Sequence, residues 1–131
     1  MDARGDATAV WAGPGGSVLT ASKSAAARHW SRPRTLYGGN PAFFGPFARI
    51  AVSPAGAAIV TWEGTSVQAA VRPGPKAAWR HPVKLGSGGG TQPAFDQLGR
   101  AIIVWMRPTG GISVVIDAAS YHPPRRASDA R

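Results

Sequence analysis

The stretch Ser53-Pro54-Ala55-Gly56-Ala57-Ala58-Ile59-Val60-Thr61-Trp62 reads as a tight turn feeding a strand that ends on tryptophan. Ser53 supplies a side-chain oxygen for a backbone N–H, Pro54 presets φ at the second turn position, and Gly56 can take positive φ at the fourth. The phrase recurs at Asp2–Trp11 and at Asp96–Trp105. In all three copies the glycine stands six residues before the tryptophan: Gly5/Trp11, Gly56/Trp62, Gly99/Trp105. Asp2, Ser53 and Asp96 are therefore turn formers by position, and the turns are of type I, joining antiparallel strands.

Working outward, the strand after each turn alternates. Ala7, Ala9 and Trp11 share one face, as do Ala58, Val60 and Trp62, and Ala101, Ile103 and Trp105. The other face carries Thr8 and Val10, Ile59 and Thr61, and Ile102 and Val104. Both faces are largely apolar, which predicts sheets covered on both sides. The repeated tryptophans read as packing residues between sheets. A second strand begins at Ser17-Val18, Ser66-Val67 and Ser113-Val114, after loops at Ala12–Gly16, Glu63–Thr65 and Met106–Ile112. A Trp-x-x-Pro-x-x-Leu phrase follows in two copies, Trp30–Leu36 and Trp79–Leu85. Its proline belongs on a sheet edge, so it marks the outermost strand of each unit. Ser22 to Arg28 is a loop, because its counterpart, Pro73 to Ala78, carries two prolines. The strand entering the turn is Pro46–Val52 in copy two and a short Pro93–Phe95 in copy three, with Gly38-Gly39 and Gly86–Gly90 as connectors.

The first tryptophans are spaced by 51 and then 43 residues. Four antiparallel strands in roughly 45 residues is the pattern of a propeller blade. The expected fold is all-β, with antiparallel four-stranded blades making about two and a half blades of an incomplete β-propeller. The units fall at about 2–39, 40–89 and 90–120, and residues 121–131 read as a basic disordered tail. Unit one lacks its first strand and unit three its last, leaving about ten strands. A piece of a larger propeller protein is the expectation, with self-association to complete a ring as the other way to cover the open ends.

The recurring phrases resemble the β-propeller repeats of large actinobacterial-type secreted or surface proteins, sialidase-repeat-like in architecture, over about residues 2–118. The resemblance implies a fold rather than an activity. A sialidase Asp-box places its glycine three residues before the tryptophan, whereas here the separation is six. A sialidase also needs an arginine cluster, a tyrosine nucleophile and acidic partners, and Tyr37 and Tyr121 fall in a connector and the tail. The function expected is a non-catalytic structural or binding module of unknown ligand. The alternative is the remnant of a sialidase-like glycoside hydrolase.

Composition narrows the field. The 131 residues amount to at most one ordinary domain, with 44% hydrophobic residues, many of them Ala. The absence of Cys excludes disulfides, thiolate metal sites and a Cys nucleophile. The formal net charge is +9, and twelve of the fifteen basic residues are Arg, scattered rather than clustered beyond the Arg125-Arg126 pair. Scatter argues against nucleic acid as the partner and leaves an acidic glycan or protein as the candidate. No apolar run reaches the ~20 residues of a membrane span, and no leader is visible at Met1–Asp6. The compartment stays open, since the resembled proteins are mostly secreted or surface-exposed.

The candidate ligand contacts are Trp30 and Trp79, which sit nearer an edge, Arg32 and Arg80 beside them, and Glu63 at a loop mouth. Arg34 and Lys84 complete a basic edge that also blocks strand-to-strand pairing. His29 and His81 are not at equivalent positions and have no second ligand at metal spacing. Arg4-Gly5-Asp6 matches an adhesion tripeptide but falls on the repeat's own turn. No catalytic constellation, cofactor motif or metal site is expected.

Overall fold

The computed structural model describes residues 1–39 and 47–123. Ten strands in these residues form three antiparallel sheets. Sheet A is β1 (Ala7–Ala12), β2 (Val18–Lys23) and β3 (Arg34–Tyr37). Sheet B is β4 (Arg49–Val52), β5 (Ala58–Glu63), β6 (Val67–Arg72) and β7 (Val83–Gly86). Sheet C is β8 (Gly89–Phe95), β9 (Ala101–Gly110) and β10 (Ser113–Tyr121). Each sheet is an up-and-down meander in chain order. The fold is all-β, as the sequence predicts. Pro46, and the Arg125-Arg126 pair with residues 124–131 of the proposed tail, lie outside the described residues.

The three turns have one geometry because they have one chemistry. The first residue's carbonyl accepts the glycine N–H in each: Gly5 to Asp2 at 3.1 Å, Gly56 to Ser53 at 2.9 Å and Gly99 to Asp96 at 3.1 Å. The three glycines take φ of 86°, 88° and 75°, which side chains disfavour. The first residue's side chain then holds the N–H four positions on: Asp2 Oδ1 accepts from Asp6 at 2.9 Å, Ser53 Oγ from Ala57 at 3.0 Å and Asp96 Oδ1 from Arg100 at 2.9 Å. The first two turns also lie side by side, with Ala3 N–H donating to the Pro54 carbonyl at 3.0 Å.

The alternation assigns the packing. Ala58, Val60 and Trp62 face sheet A, where Val60, Trp62, Ala70 and Val18 form one buried cluster. Ile59, Val67 and Ala69, on the other face of sheet B, meet Ala101, Ile103 and Trp105 of sheet C in a second cluster. Trp62 and Trp105 thus each sit against the sheet that precedes them. Two polar ties reinforce the B/C joint: Thr61 Oγ1 donates to Thr91 Oγ1 at 3.0 Å, and the Thr91 N–H donates to Glu63 Oε1 at 3.0 Å. The sheets touch most closely through β4 and β5 against β8 and through β1 against β4. Clefts open where β6, β7 and the strands facing them diverge.

Several expectations need correction. Coverage on both faces holds for sheet B alone, whose β5 is buried from Ala58 to Trp62. Sheet C leaves Ile102, Met106, Val114 and Ile116 exposed on its outer face. The stretch Met106–Ile112 is not a loop: β9 runs on to Gly110, pairs with β10 and turns at Gly111-Ile112. By pairing, Met106↔Ile116 corresponds to Glu63↔Val67, so Ile116 rather than Val114 is the counterpart of Val67. Most of the Gly86–Gly90 connector is strand, because Gly86 ends β7 and Gly89 begins β8, making β8 longer than Pro93–Phe95. Tyr37 closes β3 and Tyr121 closes β10, so neither lies in a connector or tail. The Trp-x-x-Pro phrase does lead to the outermost strands β3 and β7, but those strands begin after Pro33 and Pro82.

Candidate functional site

The A/B joint carries a polar arrangement centred on Arg72. Arg72 ends β6 and points at sheet A, since it pairs with Ala58 across the ladder. It is 5% exposed. Nη1 donates to Ser22 Oγ at 2.8 Å and Nη2 to Thr8 Oγ1 at 2.8 Å, both in sheet A. Nε is buried and finds no acceptor among the described residues. The guanidinium carbon lies 5.3 Å from the centroid of the Trp79 ring, a cation–π arrangement. No carboxylate of the described residues pairs with Arg72 directly. Burial pulls its pKa down from the usual value, against the more distant negative charges of Asp2 and Asp6.

Around this arginine lies a cleft of about 230 Å³, bordered by Thr20, Ser22, Ser31, Arg34, Lys76 and Trp79 among others. Trp79 and Arg34 also border an adjoining cleft of about 180 Å³ with Thr35 and Leu36. The Trp79–Pro82 stretch is held to β6 by the Arg80 N–H on the Val71 carbonyl at 2.8 Å. Ser31 N–H makes the corresponding bond to Ser22 in the first unit, also at 2.8 Å. This bond and the proline that follows set where Trp30 and Trp79 project.

The B/C joint has the corresponding cleft, of about 210 Å³, with a different lining. Ala69 and Val71 stand where Thr20 and Ser22 stand in the A/B cleft, and Val83 where Arg34 stands. Tyr121, paired with Ala101, occupies the place of Arg72, paired with Ala58. Its hydroxyl is buried and finds no partner among the described residues. Arg80 and His81 also border this cleft.

The five candidate contacts thus separate. Trp79 and Arg80 border different clefts, A/B and B/C. Trp30 is 49% exposed. Its counterpart Trp79 packs against sheet A, whereas among the described residues no sheet lies on the side of sheet A that Trp30 would cover. Arg32 is exposed and its carbonyl accepts the Ser31 hydroxyl at 3.2 Å. Glu63 is no free loop residue: it ends β5, and its carboxylate holds the start of sheet C through Thr91. Sequence pattern points weakly to Arg34 and not at all to Arg72. Arg34 belongs to the basic edge, and Arg72 ends its strand with no charged or polar neighbour in sequence to single it out. Aligning Arg72 with Tyr121 by repeat position would have required the correct length of the third hairpin.

The remaining described carboxylates serve local structure. Asp2 pairs with Arg4 at 3.3 Å, Asp96 with Arg100 at 2.6 Å and Asp117 with Arg107 at 2.5 Å. Asp6 accepts the Ala25 N–H at 2.9 Å. The side-chain hydrogen bond and charge of Arg107 hold the Asp117 carboxyl below its usual range, and the bond from Arg100 does the same for Asp96. No group of three or more metal-ligating side chains occurs among the described residues. No helix of the described residues is long and apolar enough to cross a membrane. No protein-family profile matches the chain, and a search of curated proteins finds no similar sequence.

Proposed function

We propose that the chain is a non-catalytic structural or binding module, made of about two and a half blades of a propeller-type stack whose end faces are covered by further sheets. The observation that carries this reading is the direction of the tryptophans. Trp62 and Trp105 each seat on the preceding sheet, and Trp11, their counterpart, faces outward from sheet A with no sheet before it. At the other end, Ile102, Met106, Val114 and Ile116 offer the next such tryptophan an exposed apolar floor. An exposed apolar area of this kind marks an interaction surface. Sheets close at β4, β5 and β8 and divergent outward also suit wedge-shaped blades.

The carboxylates favour a non-catalytic role over a sialidase-like remnant. A sialidase attacks through a tyrosine hydroxyl served by free acidic groups, and the Tyr121 hydroxyl is buried with no partner among the described residues. Each described carboxylate is instead engaged by a neighbouring arginine or backbone N–H. Light scattering across a concentration series tests the stack. Association is expected, to a discrete dimer of twice 13.5 kDa or to larger species. A stable monomer at every concentration overturns the uncovered-stack reading. Turnover of a fluorogenic sialoside that is lost on replacing a described carboxylate overturns the non-catalytic one.

A further inference from the structure

The A/B and B/C joints are the same joint built twice, and the comparison isolates what the fold requires from what it does not. At the B/C joint Ala69, Val71, Val83 and Tyr121 line the space with apolar surface and one phenol, and Arg80 and His81 border it. At the A/B joint the same places hold Thr20, Ser22, Arg34 and Arg72. Burying a guanidinium with no directly paired carboxylate is costly, and the B/C joint closes without a charge at that place. Packing therefore does not account for Arg72. Among the described residues the A/B cleft gathers a buried cation, two cations at the rim (Arg34 and Lys76), hydroxyls, and an indole that borders two adjoining clefts.

We propose that the A/B cleft is a binding site for an acidic saccharide, with Arg72, Arg34 and Lys76 drawing in its acid group and Trp79 flanking the sugar rings. Guanidinium groups suit carboxylate and sulfate through charge-assisted hydrogen bonds. An indole presents the flat apolar face on which a sugar ring lies, and the Ser22 and Ser31 oxygens, which accept from Arg72 and from the Ser22 N–H, border the cleft with a lone pair to spare for ring hydroxyls. The pair of clefts sharing Trp79 and Arg34 suits more than one ring. A polynucleotide is the less favoured occupant, because its affinity rests on a line of phosphate contacts and the cations here converge on one cleft. The site is built by sheets A and B alone, so it stands or falls independently of what covers the ends of the stack.

Titration of the full ¹⁵N-labelled chain with a uronate trisaccharide, followed by NMR, tests the assignment. Saturable shifts are expected at the Trp79 indole N–H and at the Ser22 and Ser31 amides, with the uncharged glucose trisaccharide giving none. Arg34→Ala and Lys76→Ala change exposed side chains and are expected to keep the wild-type spectrum. Each is expected to weaken binding several-fold, and Trp79→Ala by at least tenfold. Added salt is expected to weaken the wild type further. Absence of saturation, unchanged affinity in all three variants, or shifts confined to other residues overturns the site. Equal or tighter binding of a short single-stranded DNA, or of inorganic sulfate alone, overturns the saccharide as its ligand.

Discussion

At the scale of single residues the turn glycines give the sharpest expectation, because the same conformation occurs in two surroundings. Gly99 has φ of 75° and open space where a Cβ would go, so Gly99→Ala carries backbone strain alone, about 1–2 kcal/mol. Gly56 has φ of 88°, and a Cβ there would lie 2.8 Å from Asp2 Oδ2 and 2.8 Å from Pro75 Cδ. Gly56→Ala is therefore expected to be the more damaging, by about 1–3 kcal/mol beyond Gly99→Ala, as a lower urea midpoint at unchanged slope. Asp96 and Asp117 give a pH expectation. Both folded-state values lie below the ordinary 3.8, so their ion pairs stabilise fully above that value and are lost as the pH falls through the folded values. The thermal midpoint should drop between about pH 5 and pH 2, and Asp117→Asn should remove part of that drop. An undiminished acid limb in Asp117→Asn and Asp96→Asn alike refutes this. The roles of Asp2, Ser53 and Asp96 were legible from position alone, since a turn is a local object. Arg72 was not, because its partners Ser22 and Thr8 lie 50 and 64 residues away.

At the scale of elements the repeat made most strands readable, and its exceptions have physical causes. The phrase from glycine to tryptophan was read correctly in face and direction because alternation in a strand is fixed by the pleat. The third hairpin departs from the expected loop: Pro108, Thr109, Gly110 and Gly111 have the chemistry of a loop, yet β9 runs to Gly110. Beyond Met106, β8 has ended and β9 keeps a single neighbour, β10. A proline is tolerated in a strand with an open side. Gly89 and Gly90 were read as a connector for the same compositional reason. Gly89 has Glu63 Oε2 only 2.8 Å from where a Cβ would stand, so close approach of the two sheets needs a small residue there. The seating of the tryptophans predicts an asymmetry among chemically identical substitutions. Trp62 is fully buried between sheets A and B, and Trp62→Ala is expected to cost about 3–5 kcal/mol or to unfold the chain. Trp11 is half-buried with no sheet before it, and Trp11→Ala under dilute conditions is expected to cost less than half as much. Equal losses in denaturant titration would mean that the two residues are packed alike, contrary to the stacking order.

At the scale of the whole molecule the question is what the two end faces do. The faces differ in character, one carrying Trp11 with Ala7 and Ala9, the other Ile102, Met106 and Ile116. They are related as the two sides of each internal joint are related, so contact between them is head-to-tail rather than face to like face. A head-to-tail contact closes into a ring if the rotation per sheet allows it and otherwise propagates. Charge on one face is then sufficient to stop it. Ile116 is 63% exposed, so Ile116→Glu removes apolar contact surface without opening a cavity and should leave the unfolding free energy of the dilute chain within about 0.5 kcal/mol of wild type. The same substitution should reduce association seen by light scattering, because a carboxylate would have to be buried unpaired against Trp11. Trp11→Glu should act equally from the opposite side, and mixing the two variants should yield dimers that cannot grow, because each partner keeps one intact face. Persistence of large species in that mixture would show that association runs through some other surface, such as the free edges of β3, β7 or β10.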